Sequence, residues 1–139
     1  MSGEEDFRRR FVRALRPRCF CEYMASMTAT GVPDAHLVVE GRAYWLELKY
    51  TDHWPVRGSS NVLGHRFSAP QLAFLRRVDR AGGRGLGVIG YKKTRLCVLT
   101  PSSIADDGSV SRDKLQEQLS LDLGHKHFAD MFLTLLARS

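Results

Sequence analysis

The sequence predicts an α/β protein in which a small mixed sheet lies between helices. Two observations point there. Apolar and polar residues alternate along residues 34–50, and apolar residues recur at helical spacing on either side of that stretch, over 4–15, 68–81 and 125–137. The element order is then a helix, three strands, a helix, two strands and further helices, which layers helices on a sheet.

Each element has a local cause. Phe7, Phe11, Ala14 and Leu15 recur at helical spacing over 4–15, and Pro17 ends that helix. Residues 19–25 read as a strand, and 26–33, rich in Ser, Thr and Gly, as a loop. Strands over 34–40 and 43–50, joined by a short Gly41-Arg42 turn, pair as a hairpin. Residues 51–67 form a long loop, of a length that is usually functional or mobile. Ser68 is placed to cap the next helix, and Gln71 three residues later completes a capping box. That helix runs to about Ala81 and stops at Gly82-Gly83. Residues 85–91 and 94–99 make a second hairpin. The tail reads as helices at about 101–105, 112–119 and 125–137. The last carries a stripe of Phe128, Met131, Phe132, Leu135 and Leu136, which either covers the core or forms a homodimer surface.

The length of 139 residues suits a single domain over 1–139, with a core at about 4–99 and a helical tail at about 100–139. No apolar run approaches the ~20 residues of a membrane span, and the acidic start, Met-Ser-Gly-Glu-Glu-Asp, lacks a signal-peptide pattern, so a cytoplasmic protein is expected. The formal charge of +6 suggests a polyanionic partner. Its arginines cluster at Arg8-Arg9-Arg10, Arg13, Arg16 and Arg18, in the loop at Arg57 and Arg66, and at Arg76, Arg77, Arg80 and Arg84. Arginine suits phosphate because its planar fork binds oxygens in pairs. Three cysteines, Cys19, Cys21 and Cys97, make no disulfide framework, and His125-x-His127 reads as part of a surface helix rather than as a zinc site.

The chemistry concentrates at Asp34, Glu47 and Lys49. Side chains alternate along a strand, so Glu47 and Lys49 share one face while Tyr44, Leu46, Leu48 and Tyr50 take the other, apolar one. Hairpin pairing brings Asp34 close to Glu47. Two carboxylates and an ammonium then converge, the arrangement that holds a hard divalent cation and a water beside a phosphate. A lone Glu-x-Lys on a half-exposed strand is ordinarily a solvated face or an ion pair. Here it follows a Pro-Asp at hairpin distance, has apolar flanks on both strands and lies in a basic chain. Lys49, a compact cation with three donors, suits orienting the attacking water and stabilising charge on the phosphate.

Pro33-Asp34, an apolar strand and Glu47-Leu48-Lys49 resemble the signature of the PD-(D/E)XK nuclease superfamily. The likeness continues through Phe67-Ser-Ala-Pro-Gln71-Leu-Ala-Phe-Leu, Gly82-Gly83 and Leu86-Gly-Val-Ile-Gly, which resemble the helix and strand that follow the motif in the VRR-NUC branch and in Holliday-junction-resolvase-like members. The resemblance covers about residues 4–99. It implies a restriction-endonuclease-like α/β/α core and a Mg2+- or Mn2+-dependent DNA endonuclease, structure-selective in its cutting. Asp34 and Glu47 would be metal ligands together with the backbone of Leu48. Glu4 would be a further acidic ligand from the first helix, with Glu5 as the alternative. The resembled branch carries a glutamine at Gln71, which puts that residue either near the site or in the capping box alone. His53, Arg57, His65 and Arg66 are candidates for substrate contact, and Trp54 either stacks on an unpaired base or plugs the loop onto the core. The alternatives are a Holliday-junction resolvase proper and a non-catalytic nucleic-acid-binding protein that kept the fold. Intact Asp34, Glu47 and Lys49 weigh against the second.

Overall fold

A computed structural model describes residues 3–24 and 31–138. The end of the strand expected at 19–25, and most of the loop expected at 26–33, lie outside the described residues. The chain runs α1 (Gly3–Leu15), β1 (Phe20–Tyr23), β2 (Ala35–Val39), β3 (Arg42–Thr51), α2 (Ala69–Arg80), β4 (Arg84–Tyr91) and β5 (Arg95–Leu99). A single 3-10 turn (Pro101–Ser103), α3 (Arg112–Glu117), β6 (Leu121–Asp122) and α4 (Phe128–Ala137) follow. The strands lie in chain order in one six-stranded sheet. Only β3 and β4 pair in parallel, through the α2 crossover; the other neighbours are antiparallel, so the sheet is mixed.

The β2–β3 turn differs from expectation by one residue. Val39 pairs with Arg42, which leaves Glu40 and Gly41 as the turn. Both have positive φ, 49° and 80°, as a type I′ hairpin turn requires, and glycine takes the second place without strain. Arg42 therefore belongs to β3.

Alternation sorts the sheet into two faces. Tyr44, Leu46 and Leu48 of β3, Leu86 and Val88 of β4 and Leu96 of β5 enter one cluster with Phe7, Phe11 and Leu15 of α1 and Phe128, Phe132 and Leu136 of α4. The opposite face carries Ile89, Cys97 and Leu99 into a second cluster with Leu72 of α2, Val62, Leu63 and Phe67 of the loop and Ile104, Val110 and Leu115 of the tail. Two glycines of β4 allow that layer its close approach. A Cβ on Gly85 would meet the Leu75 carbonyl oxygen at 2.5 Å, and one on Gly87 would meet the Phe67 ring at 2.8 Å.

The long loop after β3 is pinned down. The Thr51 hydroxyl donates to the Val62 carbonyl at 2.6 Å, the Val110 N–H donates to Asn61 Oδ1 at 3.0 Å, and Arg112 donates to the Pro55 carbonyl at 2.9 Å. The tail is less helical than expected. Its first turn is 3-10, residues 125–127 precede α4 as turns, and Leu121–Asp122 adds a strand to β5. A two-residue strand has no readable period, which is why it escapes the sequence pattern. On α4 the apolar stripe divides: Phe128, Phe132 and Leu136 are buried, whereas Met131 is 41% exposed. No helix among the described residues is long and apolar enough to cross a membrane.

The Phe11 and Phe132 rings meet edge to face at 5.2 Å, joining α1 to α4. Phe132→Ala is therefore expected to cost about 3–5 kcal/mol of stability, and Met131→Ala no more than about 0.5 kcal/mol. Urea unfolding of the two variants checks this. Equal small costs would mean that α4 is not part of the core.

Candidate active site

The register that pairs Ala35 with Leu46 is the last of the β2–β3 ladder, so among the described residues β3 runs on without a strand partner past Leu46 on that side. Asp34, the residue before β2, fills the gap. Its Oδ2 accepts the Leu48 N–H at 3.0 Å, as a strand carbonyl would. The N–H and C=O of one strand residue point to the same neighbour, so the Leu48 carbonyl opens toward Asp34 as well. The expected meeting of Asp34 with β3 thus occurs through the backbone of Leu48.

Glu47 and Lys49 lie on the α2 side of β3 and are buried, at 1% and 5% exposure. Lys49 Nζ is 3.6 Å from Glu47 Oε2 and 5.5 Å from the centre of the Phe67 ring. Glu47 Oε2 also accepts a hydrogen bond from Gln71 Nε2 at 3.0 Å. Glu47 Oε1 is buried and no protein donor reaches it, while the Asp34 carboxyl lies within hydrogen-bonding reach of Glu47. Burial first, then the nearby Asp34 carboxylate, raises the Glu47 carboxyl to about 8; Lys49 and Arg8 oppose the rise.

Gln71 fills both of the places expected for it as alternatives. Its Oε1 accepts from the Ser68 N–H at 2.8 Å and its own N–H donates to Ser68 Oγ at 3.2 Å, which is the capping box. The amide nitrogen of the same side chain donates to Glu47. One end of the amide caps α2 and the other fixes the buried carboxylate.

Glu4 reaches the site only through Arg8. Its Oε1 is 2.8 Å from Arg8 Nη2, and Arg8 Nε is 3.4 Å from Asp34 Oδ2. Glu5 is the more exposed of the two, and pairs with Arg9. Among the described residues no three His, Cys, Asp or Glu side chains are grouped as a metal centre, and the site's own acidic side chains are the two carboxylates of Asp34 and Glu47. The arginine run at 8–10 is largely balanced on its own helix, because Arg8, Arg9 and Arg10 each face an acid four residues earlier.

His53, Arg57, His65 and Arg66 are all exposed on the loop after β3. Arg66 is tied to Asp107 at 3.2 Å, and no described contact joins any of the four to Glu47 or Lys49. Trp54 plugs the loop onto the sheet: its ring stacks on Tyr91 at 5.4 Å, with Lys92 Nζ 4.5 Å above it. His36 packs on Trp45 at 4.1 Å, in a row of rings that continues to Phe20 and Phe74. Arg8 and Phe67 are the site residues that sequence reasoning missed. The Glu4–Arg8 spacing of four was a readable signal for their pairing; the contact with Asp34 carries none.

No protein-family model matches the chain, and no curated protein matches it in sequence. The structure is similar to that of Hjc from Archaeoglobus fulgidus, a Holliday junction resolvase from an archaeal hyperthermophile, with a TM-score of 0.60. The match covers 82% of this chain and 91% of that one at 12% identity. The mixed sheet with helices on both faces is thus the restriction-endonuclease-like fold that the sequence led us to expect.

The elevated Glu47 carboxyl has a signature in metal-free solution. Its ordinary value is 4.5 and its folded value about 8. Between the two, the folded chain holds a proton that the unfolded chain has released, so stability is lost as pH rises through that window. Glu47→Gln cannot titrate. In EDTA, the stability of the wild type relative to Glu47→Gln is expected to decline from about pH 4.5 to about pH 8, read from urea midpoints. Parallel profiles would mean that Glu47 titrates at its ordinary value.

Proposed function

We propose that this chain is a metal-dependent endonuclease of the PD-(D/E)XK superfamily, nearest its VRR-NUC and Holliday-junction-resolvase-like branch, which hydrolyses DNA phosphodiester bonds with Mg2+ or Mn2+. The observation that carries the reading is the convergence of Asp34, Glu47 and Lys49 where β3 outruns β2, with a buried Glu47 oxygen that no protein donor reaches. A buried polar atom without a partner is costly, and such atoms are often completed by an ion or ligand. Glu47 Oε1, the Asp34 carboxylate and the Leu48 carbonyl form an all-oxygen set that suits a hard divalent cation. A cation bound there supplies a more acidic water and charge to offset the phosphate oxygens. Lys49, held between Glu47 and the Phe67 ring, donates to the attacking water and stabilises charge developing on the phosphate. Gln71 fixes the Glu47 carboxylate. His53, Arg57, His65 and Arg66 contact the phosphates that flank the scissile one, Arg66 after release from Asp107.

Asp34→Asn, Glu47→Gln and Lys49→Ala are each expected to abolish Mg2+- or Mn2+-dependent cleavage while leaving the chain folded. Asp34→Asn retains an acceptor for the Leu48 N–H. Incubation with labelled linear, flapped and four-way DNAs, with and without metal, checks this. Cleavage by Glu47→Gln at the wild-type rate would overturn the reading.

The finer proposal is structure-selective cutting by a homodimer. Hjc is described as a Holliday junction resolvase, and symmetric cutting of a four-way junction needs two sites of opposite strand polarity, which a two-fold dimer presents. The buried stripe of α4 is spent on the core. The surface we assign instead is the face of β1 and β2 beside α2, where Phe20 is 53% exposed at the end of the ring row Phe20–His36–Trp45–Phe74. Sedimentation at micromolar concentration is expected to show a dimer that Phe20→Glu dissociates, and competition binding is expected to favour a four-way junction over linear duplex. A strict monomer without preference for branched DNA would remove this part and leave the nuclease assignment standing.

A further inference from the structure

We infer that Arg8 is the resident counter-charge of the carboxylate site, a guanidinium that holds Asp34 before the metal arrives and that the divalent cation displaces. The inference rests on the metal-dependent reading above. Three features of Arg8 support it. It is the member of the 8–10 run that reaches the site: Arg9 pairs with Glu5, Arg10 pairs with Asp6 and donates to the Lys93 carbonyl, whereas Arg8 Nε lies 3.4 Å from Asp34 Oδ2. Its grip on Asp34 is ionic rather than directional. The buried Nε makes no hydrogen bond, and the same Asp34 oxygen already accepts the Leu48 N–H at the shorter 3.0 Å. A partner held by charge alone is replaceable by another charge without disturbing the bond that orients Asp34. Finally, the far end of Arg8 is tethered, to Glu4 Oε1 at 2.8 Å.

The consequence is competition. Carboxylates that face a guanidinium cannot at the same time give their full attraction to a divalent ion, and the like charge of Arg8 opposes the ion's entry. Once displaced, Arg8 remains on its Glu4 tether at the mouth of the site, with donors turned to a phosphate oxygen. Glu4 then acts by holding Arg8 and is not itself a ligand.

Calorimetric titration with Mn2+, without DNA, tests this on the wild type, Arg8→Met, Arg8→Lys, Glu4→Gln and the Arg8→Met/Glu4→Gln double variant. Arg8→Met is expected to tighten Mn2+ binding by at least about fivefold, the lower end of ordinary coupling between sites. Arg8→Lys, which keeps the charge, stays near wild type. Glu4→Gln has no effect once Arg8 is Met, because there is nothing left to tether. Should Arg8→Met fail to fold, Arg8→Gln removes the charge while keeping a donor. Affinity that is unchanged or weaker in a folded, charge-free Arg8 variant overturns the inference. So does a loss of affinity on Glu4→Gln that persists in the double variant, since Glu4 would then be a ligand. A wild type that binds no Mn2+ at all would overturn the metal-dependent reading itself, whereas tight binding indifferent to Arg8 would overturn this inference alone.

Discussion

The hydrogen bond from the Leu48 N–H to Asp34 Oδ2 is the interaction on which the site depends. β2 stops pairing at Ala35, while β3 continues to Thr51 with β4 on its other side. Without a partner, the Leu48 N–H would be a buried donor left unsatisfied, at a cost of about 1–3 kcal/mol. Asp34 relieves that cost with a side chain rather than a strand. A carboxylate is thereby drawn to the backbone between Glu47 and Lys49, and a strand edge is kept open where continued pairing would have covered it. Structural need and chemical opportunity coincide in one residue.

The rest of the site is arranged around a carboxylate that is hard to ionise. Glu47 lies under α2, with Gln71 on one oxygen, no protein donor on the other and the Asp34 carboxyl beside it. Its burial is the work of the second apolar cluster. Phe67 lies against Gly87 and beneath Lys49, and Val62, Leu63, Ile104 and Val110 pack behind it. The loop after β3 and the first part of the tail therefore set the dielectric of the site, although neither supplies one of the converging groups. The tail serves the opposite face too, through Phe128, Phe132 and Leu136 against α1, the helix that delivers Arg8.

Legibility in the sequence followed range. The period-two pattern at 34–50 was enough to put Glu47 and Lys49 on one face and Asp34 beside them, because strand alternation is a local rule. The Ser68–Gln71 capping box was readable for the same reason. What Gln71 does with its other end was not, since the contact with Glu47 spans 24 residues and depends on how α2 settles on Gly85. The charge pattern marks Arg8 only as one of a basic cluster. Its pairing with Glu4 lay within one helical turn, but its approach to Asp34 depends on how α1 crosses the sheet. The β2–β3 turn shifted by one residue because type I′ geometry sets which two residues leave the ladder, and Glu40 accepts a positive φ that its identity does not advertise. β6 was beyond any periodic argument at two residues.

The charges around the carboxylates do not balance. Glu4, Asp34 and Glu47 face Arg8 and Lys49, so three carboxylates oppose two cations. The surplus of negative charge bears on Glu47, whose carboxyl is raised to about 8 by burial and by the Asp34 carboxylate beside it. On the metal-dependent reading we propose, a divalent cation held by Asp34 and Glu47 would favour the ionised Glu47 carboxyl and would stand in for the guanidinium beside Asp34. Lys49 is enclosed, with its Nζ 3.6 Å from Glu47 Oε2 and 5.5 Å from the centre of the Phe67 ring. Of the two cations around the carboxylates, one is enclosed beside Glu47 under α2 and the other stands against Asp34 from α1. That division follows from burial: the Lys49 side chain is 7% exposed, that of Arg8 24% on its helix tether.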